Sequence, residues 1–472
     1  MIFQTEQPSS RSTAVVAFLA AIFLCGSLEA KPPGPSSAIV ESVEIGKVPA
    51  DFPVGFWLAT YGKHQIAAFY NQSHDLVVAS RLFASDDSKP SPWTYATLPT
   101  KVGCDSHNDI TFTADSEGCI HLAANMHACP LIYFRTTKPW DITSFERVPA
   151  MVGKDETSCT YPKFEQKPGG KLIFHYRSGG SGRGKEIFNA YDTKTRQWSR
   201  LLDVPLLDGE GKRSAYMKGP ILGSDGWFHL VWVWRDTPDC ATNNTVNYAR
   251  SKDLVSWETI TGKPLPLPIR FTQDREVVVD PVPPANGLIN GAASVGFDKK
   301  KGVVVSYFKF DKDGKTQAYV ARFVDGQWVT NPVSQWDYAW KFSGGGSIPF
   351  EIVLGSVAPA GPGLLQLPFE HIKYGSGTLM IDETTLKPAP PTPSQGIQST
   401  SAEPERPEGT FPGLEVHWKK DAGTPDPSGI IYYLRWETLP PNRDKQRPAP
   451  LPPPSPLRVI GFSPSQGAPY RR

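Results

Sequence analysis

Pairs of short strands joined by tight turns recur along this chain, and this repeat restricts the fold more than any other feature. Each unit has a short apolar strand, a turn containing Asp-Gly or a similar pair, and a second strand rich in Val, Tyr and Trp. The units begin roughly every 45 to 55 residues. Examples are residues 64–83, 109–126, 171–192, 219–235, 293–323 and 428–439. Helical periodicity is nearly absent, so the sequence predicts an all-β fold.

A repeat of about 50 residues provides room for about four strands, which is typical of a β-propeller. Residues 50–444 have room for roughly seven such units. We therefore predict a seven-bladed β-propeller domain of four-stranded antiparallel blades over 50–444. A pair of β-sandwiches or a parallel β-helix is the alternative, although the repeat is too long for the rungs of a β-helix.

The N-terminus has the composition of an export signal. Arg11 precedes an apolar run at 14–26 that is too short to span a bilayer, and the small residue Ala30 follows at a position suited to cleavage. We predict a signal peptide over 1–30 and a protein that is secreted or periplasmic. No other segment is apolar enough to cross a membrane, so we expect no membrane association.

Three further segments lie outside the repeat. Residues 31–49 are predicted to be an N-terminal linker, and the Pro-rich stretch 388–409 a solvated excursion between late blades. Residues 445–472 are also rich in Pro, which predicts an extended or disordered tail.

Charge and cysteine content exclude two classes of function. Lys and Arg number 49 against 47 Asp and Glu, without a basic stripe, so nucleic acid is not an expected partner. No CxxC pair is present, which argues against a structural zinc cluster. Cleavage of the signal would leave an odd number of cysteines, whose pairing stays open: Cys104, Cys119, Cys129, Cys159 and Cys240.

Three of the nine histidines lie close together around one predicted hairpin. If residues 115–118 form its turn, His107 and His127 lie opposite each other at the mouth of the hairpin. His121 lies farther along the strand and is interpreted as structural. A mixed metal site of His121, His127 and Cys129 is the alternative.

The next repeats add phenol and guanidinium groups at their strand ends. Tyr161 lies in TYPKF, and Arg177 precedes a Gly-rich stretch that leaves space for its side chain. Tyr216 and Arg235 follow in the next unit; an ion pair of Arg235 with Asp236 is the structural alternative. Together with the histidines, these groups suit β-elimination next to a uronate, because cations neutralise its carboxylate while a Tyr or His transfers protons.

Other reaction classes have weaker support in the sequence. No close pair of carboxylates of the glycosidase type is evident, and no Ser-His-Asp signature. A carbohydrate-binding propeller with ordinary polar rims is the alternative without catalysis.

The chain resembles the BNR-repeat-containing propeller family, which includes ulvan lyases and L-rhamnose-α-1,4-D-glucuronate lyases. The resemblance runs from about residue 50 to about residue 444, with the motifs in the expected order. These motifs include SHNDITFTADSEGCIHLAANMH, PLIYFRT, TYPKF, HYRSGGSGRG, YMKGP, HLVWVWRDTPDCATNN and YYLRWETLPPNRD.

The resemblance implies the roles of individual residues. The family has two histidines about 20 positions apart, then a Tyr and, about 16 positions later, an Arg. The matching catalytic residues are His107, His127, Tyr161 and Arg177. The implied substrate-binding residues are Tyr216, Arg235 and Asn244; the chain departs from the pattern here, because it has Asn243-Asn244 where Asn-His is expected.

The resemblance also implies a substrate and a cofactor. We expect cleavage of L-rhamnose-α-1,4-D-glucuronate linkages to give a 4,5-unsaturated glucuronate, by a monomer acting on an acidic polysaccharide such as gum arabic arabinogalactan or ulvan. Some family members bind calcium, so Ca²⁺ is the candidate ion, with unknown ligands and no organic cofactor. A related branch is an α-L-rhamnosidase that uses a His on the opposite face. Gln65 occupies that position here and His64 is one residue out of register, so we expect that second site to be absent.

Overall fold

The computed structural model describes residues 38–83, 90–167, 169–271, 275–389, 405–423 and 429–463. The predicted signal peptide lies outside the described residues, as do most of the predicted excursion at 388–409 and the last nine residues of the chain. Within the described ranges the fold is all-β, as predicted, with thirty strands and three short 3-10 helices. In the same ranges, no helix has the length and apolar character needed to span a bilayer.

The strands form seven antiparallel sheets in the described part of the chain. Sheet 1 contains β2 (Trp57–Tyr61), β3 (His64–Tyr70), β4 (Asp75–Leu82) and β5 (Thr94–Lys101). Sheet 2 contains β6 (Thr111–Ala114), β7 (Ile120–Ala123), β9 (Tyr133–Thr136) and β10 (Phe145–Arg147). Sheet 3 contains β8 (His127–Cys129), β11 (Cys159–Gln166), β12 (Leu172–Ser178), β13 (Lys185–Asp192) and β14 (Gln197–Arg200).

The later sheets follow in the same manner. Sheet 4 contains β15 (Ser214–Leu222), β16 (Phe228–Arg235), β17 (Asn243–Ser251), β18 (Trp257–Glu258) and β19 (Val278–Asp280). Sheet 5 contains β20 (Ser294–Phe297), β21 (Val303–Phe310), β22 (Thr316–Val324) and β23 (Gln327–Pro332). Sheet 6 contains β24 (Ile352–Leu354), β25 (Ala358–Gly361), β26 (Leu364–His371) and β27 (Gly375–Asp382). Sheet 7 contains β1 (Ile39–Val48), β28 (Glu415–Lys420), β29 (Ile431–Thr438) and β30 (Ser455–Phe462). The 3-10 helices are Ile142–Ser144, Cys240–Thr242 and Arg275–Val277.

The hydrophobic core lies between neighbouring sheets. Separate apolar clusters join sheets 7, 1 and 2, sheets 2 and 3, sheets 3 and 4, and sheets 4, 5 and 6. Middle strands such as β12 and β16 are buried along their whole length, because both faces of a middle strand pack on apolar side chains. Because the middle strands are buried, the polar residues of a site are expected at the strand ends and in the loops.

The hairpin predicted around residues 115–118 is present. Strands β6 and β7 pair Thr111 with Ala123 and Thr113 with His121. Gly118 adopts a positive φ of 83° in the turn, and a Cβ there would lie 2.4 Å from Nε1 of Trp140. The turn therefore requires glycine for both conformation and space.

Both ends of the sheet-forming region differ from the predicted limits at residues 50 and 444. The segment assigned to a linker contains β1, and the segment assigned to a disordered tail contains β30, which pairs with β1 and β29 in sheet 7. The predicted linker and disorder are therefore wrong for these two segments. The prolines that precede β30 obscured its apolar residues, including the buried Leu457 and Val459.

Removal of the buried side chain of Leu457 tests the role of β30. We expect Leu457→Ala to lower the free energy of unfolding by about 2–5 kcal/mol, because the substitution leaves a cavity in a fully buried site. Leu451→Ala is the matched control, since Leu451 is 41% exposed and its truncation should cost less than about 0.5 kcal/mol. Urea unfolding followed by tryptophan fluorescence measures both changes, and equal losses would contradict the structural role of β30.

Candidate active site

His107 and His127 lie side by side, as the hairpin predicts. Their ring centroids are 4.2 Å apart and the rings are inclined by 28°. His107 lies in the loop before β6, whereas His127 begins β8, which pairs with β11 through Thr160. The two imidazoles are therefore adjacent but belong to neighbouring sheets, not to the two strands of one hairpin.

Asp105, which the sequence analysis did not single out, holds both imidazoles. Nδ1 of His107 donates to Oδ1 of Asp105 at 3.0 Å, and Nδ1 of His127 donates to Oδ2 at 2.5 Å. Burial alone would raise the pKa of the Asp105 carboxyl, but these two hydrogen bonds hold it well below its usual range. An ionised carboxylate only accepts hydrogen bonds, so both Nδ1 atoms carry hydrogen and the Nε2 atoms are left for a ligand.

His107 is charged at neutral pH. Its Nδ1 also lies 3.2 Å from Oδ2 of Asp444, a residue contributed by the loop after β29. Burial opposes protonation, but the two carboxylates outweigh it and raise the pKa of His107 to about 9. Asp444 is fixed by the backbone N–H groups of Ser106, at 3.3 Å, and Ser347, at 2.9 Å.

Tyr161 adopts a strained conformation at a bulge in β11. The pairing of β11 with β12 shifts between Thr160 and Lys163, and Tyr161 has a φ of 55°. A bulge re-aims the side chain that it carries. The ring of Tyr161 consequently lies 5.9 Å from the ring of His107 and 4.9 Å from the guanidinium carbon of Arg177.

Arg177 presents a buried cation with free donors. Its side chain is only 1% exposed, and its Nε and Nη1 have no hydrogen-bond partner among the described residues. A Cβ on Gly184 would lie 2.6 Å from Cδ of Arg177, so this glycine provides the space that the Gly-rich sequence indicated. Buried donors without partners are costly, which favours an anionic ligand at this position.

Glu186, the carboxyl group opposite Arg177 in sheet 3, does not fully neutralise the charge of the guanidinium. Glu186 lies directly opposite Arg177 on β13, and both residues are buried. Burial raises the pKa of Glu186 to about 7, although the charge of Arg177 opposes this shift. A partly protonated Glu186 leaves positive charge on this side of the site at neutral pH.

Tyr216 lies between two guanidinium groups. The guanidinium carbons of Arg177 and Arg235 are each 5.4 Å from its ring centroid, and its hydroxyl lies 2.7 Å from Oγ of Ser181. Burial alone would raise the pKa of Tyr216, but the two guanidinium charges lower it. The tyrosine is therefore more easily ionised than a solvent-exposed one.

Arg235 is held by neutral acceptors. It donates to the carbonyl oxygens of Thr237, at 3.1 Å, and Pro238, and to Oδ1 of Asn290 at 3.5 Å. The alternative ion pair of Arg235 with Asp236 is not formed. The carboxylate of Asp236 instead lies 3.6 Å from Nε of Arg213. Because these acceptors are uncharged, they do not neutralise Arg235, which is the second guanidinium cation of the site after Arg177.

Asn244 does not line the cavity. Its side chain is buried and donates to the carbonyl oxygen of Thr242 at 3.1 Å. The preceding residue, Asn243, contacts Oδ1 of Asn290 at 3.3 Å and is on the side of the site. The pairing of β16 with β17 shifts in register directly after Asn244.

A cavity of about 110 Å³ opens beside the cluster. Its lining includes six of the residues described above: His107, Tyr161, Glu186, Tyr216, Arg235 and Asn290. His121 lies apart, fully buried, with its Nδ1 2.7 Å from the hydroxyl of Tyr133 and its Nε2 3.3 Å from Asp115. These contacts support the structural interpretation of His121, and among the described residues neither His121 nor Cys129 belongs to a group of candidate metal ligands.

One group of candidate metal ligands occurs in the described ranges, formed by Asp105, His107 and His127. Calcium prefers six to eight oxygen ligands, whereas two of the three donors here are imidazole nitrogens. The group therefore does not fit Ca²⁺.

At Gln65 and His64, where the related rhamnosidase branch has its histidine and we expect no second site, both side chains make contacts within the fold. Gln65 is buried, donates to Oγ1 of Thr60 at 3.1 Å and accepts from Nε of Arg81 at 2.8 Å. His64 stacks on Trp140 with ring centroids 4.6 Å apart. These contacts occupy both side chains.

Comparison with known proteins places this architecture in a family. Residues 64–336, more than half of the chain, match the model of a BNR repeat-containing family member. The chain belongs to the BNR repeat-containing family. A search of curated protein sequences finds no match.

Two solved structures resemble this family member along nearly its whole length. Polysaccharide lyase Uly1 shares 15% sequence identity with a TM-score of 0.56, and covers 90% of this chain and 99% of its own. A PL25 ulvan lyase bound to -[GlcA(1-4)Rha3S]- shares 12% identity with a TM-score of 0.53, and covers 89% and 95%. At these identities the likeness shows the fold alone.

The charge on His107 predicts a pH-dependent contribution to stability. A raised pKa stabilises the folded state fully below the unfolded value of about 6.5, and the contribution is lost as pH rises through about 9. His107→Gln should therefore cost more stability at about pH 6 than at about pH 10, by up to about 3 kcal/mol. Urea unfolding of both proteins at the two pH values measures this difference. An equal cost at both values would show that the carboxylates do not hold the charge.

Proposed function

We propose that the protein is an exported polysaccharide lyase that cleaves L-rhamnose-α-1,4-D-glucuronate linkages by β-elimination. The observation that carries this proposal is the buried guanidinium of Arg177, whose Nε and Nη1 lack partners in the described structure. It adjoins Tyr161, and Tyr161 adjoins the charged His107. Export rests on the signal-like N-terminal sequence, and the fold is shared with two polysaccharide lyases.

We further propose that the seven sheets are the blades of a β-propeller. Each apolar cluster joins sheets that follow one another in the chain, and sheet 7 packs on sheet 1 through a common cluster. A ring of sheets satisfies both contacts, because the last sheet then returns to the first. In such a ring the loops at one end converge, which explains why residues of sheets 2, 3, 4 and 7 meet at the candidate site.

In this mechanism the uronate carboxylate binds between Arg177 and His107. Two cations next to the carboxylate stabilise the negative charge that develops when the C5 proton leaves. The neutral acceptors around Arg235 and the partly protonated Glu186 support this assignment, since neither cancels the positive charge. Arg235 and Tyr216 then lie where the neighbouring part of the substrate would bind.

Tyr161 transfers the protons in this proposal. In a glucuronate the C5 hydrogen and the O4 substituent are on the same face of the ring. The phenolate of Tyr161 can therefore remove the C5 proton and, as the resulting phenol, deliver it to the leaving O4, which returns the side chain to the phenolate. The ring of Tyr161 lies near both His107 and Arg177, so charge on its oxygen is stabilised during the transfer. His127, whose Nδ1 is held by Asp105, orients the sugar through a hydrogen bond between its Nε2 and a sugar hydroxyl.

The product of the reaction tests the proposed chemistry. With gum arabic or ulvan, we expect an increase in the ultraviolet absorbance of a 4,5-unsaturated uronate and no release of free rhamnose by hydrolysis. Tyr161→Phe should lower kcat by about 10²- to 10⁴-fold, because it removes the proton-transfer hydroxyl and keeps the ring. Tyr216→Phe, which leaves Tyr161 intact, should lower kcat less. Free rhamnose without the absorbance, or binding without either product, would contradict the lyase.

The space beside Arg177 gives a second test. Gly184→Ala should displace the guanidinium and raise KM by about 10- to 100-fold, the loss expected for a charged hydrogen bond of about 1.5–3 kcal/mol. Gly180→Ala is the matched control, because the nearest atom to a Cβ there is a flexible Arg183 side-chain atom at 3.4 Å. Steady-state kinetics of both variants separate KM from kcat, and an unchanged KM for Gly184→Ala would remove Arg177 from the carboxylate site.

A further inference from the structure

Two cysteines lie directly opposite each other beside the candidate site. Cys129 ends β8 and Cys159 begins β11, and the antiparallel register pairs the two residues. In antiparallel sheets, directly paired residues have Cα atoms about 4.5–5.5 Å apart, within the range of about 4.4–6.8 Å that a disulfide spans. Side chains of directly paired residues also project from the same face of the sheet.

Among the described cysteines, only Cys129 and Cys159 are paired with each other by the strand register. Cys104, Cys119 and Cys240 lie outside the strands, and the strand register pairs none of them with another cysteine. Cys104 instead has its Sγ 3.9 Å from Oδ2 of Asp51. The sequence leaves the pairing of the cysteines open, and the register of β8 and β11 selects one pair.

The strand that carries Cys129 is weakly held. β8 has three residues, lies at the edge of sheet 3 and pairs with β11 at only two positions. Its middle residue, Ala128, has a φ of 52°, an unfavourable conformation for a residue with a Cβ. His127 begins this strand, so the position of one imidazole of the site depends on a short and strained edge.

We propose that Cys129 and Cys159 are a redox modification site, at which a small-molecule disulfide such as oxidised glutathione forms a disulfide bond that fixes β8 to β11. Cys129 is two residues from His127 and Cys159 is two residues from Tyr161. The bond therefore holds the two strands that carry these side chains. It also closes a loop of about 30 residues, which restricts the unfolded chain.

The reaction proceeds by two thiol–disulfide exchanges. Cys129 is partly exposed and its thiolate attacks glutathione disulfide, which releases one glutathione and leaves a mixed disulfide. The thiolate of Cys159 then attacks the Cys129 sulfur and releases the second glutathione. The two protein thiols lose two protons and two electrons, and the glutathione disulfide gains them. Burial raises the pKa of Cys159 to about 12, so the second step is expected to be the slower one.

Peptide mapping of the full chain tests the bond independently of any lyase activity. The reduced, folded protein is incubated with oxidised glutathione, its remaining thiols are alkylated, and it is digested with trypsin without reduction. Lys and Arg residues between the two cysteines separate them into different peptides. We expect a linked pair of peptides that contain Cys129 and Cys159, lost in Cys159→Ser, where Cys129 instead retains glutathione.

Cys119→Ala is the matched control, because Cys119 is buried elsewhere and the link should persist in this variant. Wild-type protein with glutathione on Cys129 but no link, or with both thiols alkylated, would overturn the proposal, as would loss of the link in Cys119→Ala.

Hydrogen exchange tests the consequence for β8. In the oxidised wild type, the amides of residues 127–129 should exchange more slowly than in the reduced protein, because the bond restrains the opening of the edge strand. Cys159→Ser should show the faster exchange under both conditions. Equal exchange in oxidised and reduced wild type would show that the bond does not fix the strand. Neither peptide mapping nor hydrogen exchange uses a substrate, so failure of this proposal is distinguishable from failure of the proposed lyase activity.

Discussion

The pairing of β1 with β30 is the contact on which the site depends. It joins the two ends of the described chain in sheet 7, next to β29. The loop between β29 and β30 is thereby held against the start of sheet 2, where Asp444 contacts His107 and the backbone of Ser106. Because Asp444 and Asp105 together keep His107 protonated, the charge at the site follows from the closure of a sheet whose strands come from opposite ends of the chain.

The acidic groups of the site are distributed so that positive charge remains for a ligand. Asp105 accepts hydrogen bonds from two imidazoles, and burial keeps Glu186 partly protonated. Arg177 has free donors and Arg235 is held by neutral oxygens. A glycosidase needs two carboxyl groups free to act on the sugar. Here Asp105 and Asp444 instead hold histidines, and the cavity is lined by His107 and Arg235 as well as by the carboxyl groups of Asp109 and Glu186.

Local patterns predicted the part of the site that depends on local geometry. The predicted hairpin placed His107 and His127 near each other, although the structure assigns His127 to the neighbouring sheet 3, and the Gly-rich sequence after Arg177 indicated the space that Gly184 provides. Asp105 could have been found, since it precedes His107 by two residues. Asp444 could not, because only the long-range closure of sheet 7 brings it near. At Asn244 the structure differs from the expectation, because this side chain donates to the backbone of Thr242, whereas Asn243 donates to Asn290 in the cavity lining.

The site also shows why a list of residue types is insufficient to define it. Tyr161 and Ala128 both have positive φ on neighbouring strands, and each such conformation costs about 1–3 kcal/mol. That strain persists only where surrounding contacts offset it. For Tyr161 the contacts are the guanidinium of Arg177, 4.9 Å from its ring, and the ring of Tyr216 at 6.1 Å. For Ala128 the contact is a hydrogen bond of 2.8 Å that its backbone N–H donates to the side-chain Oγ1 of Thr160. The irregular backbone at β8 and β11 thus sets the positions of two side chains, His127 beside His107 and Tyr161 in the lining of the cavity. Regular strands with the same sequence spacing would orient these side chains differently.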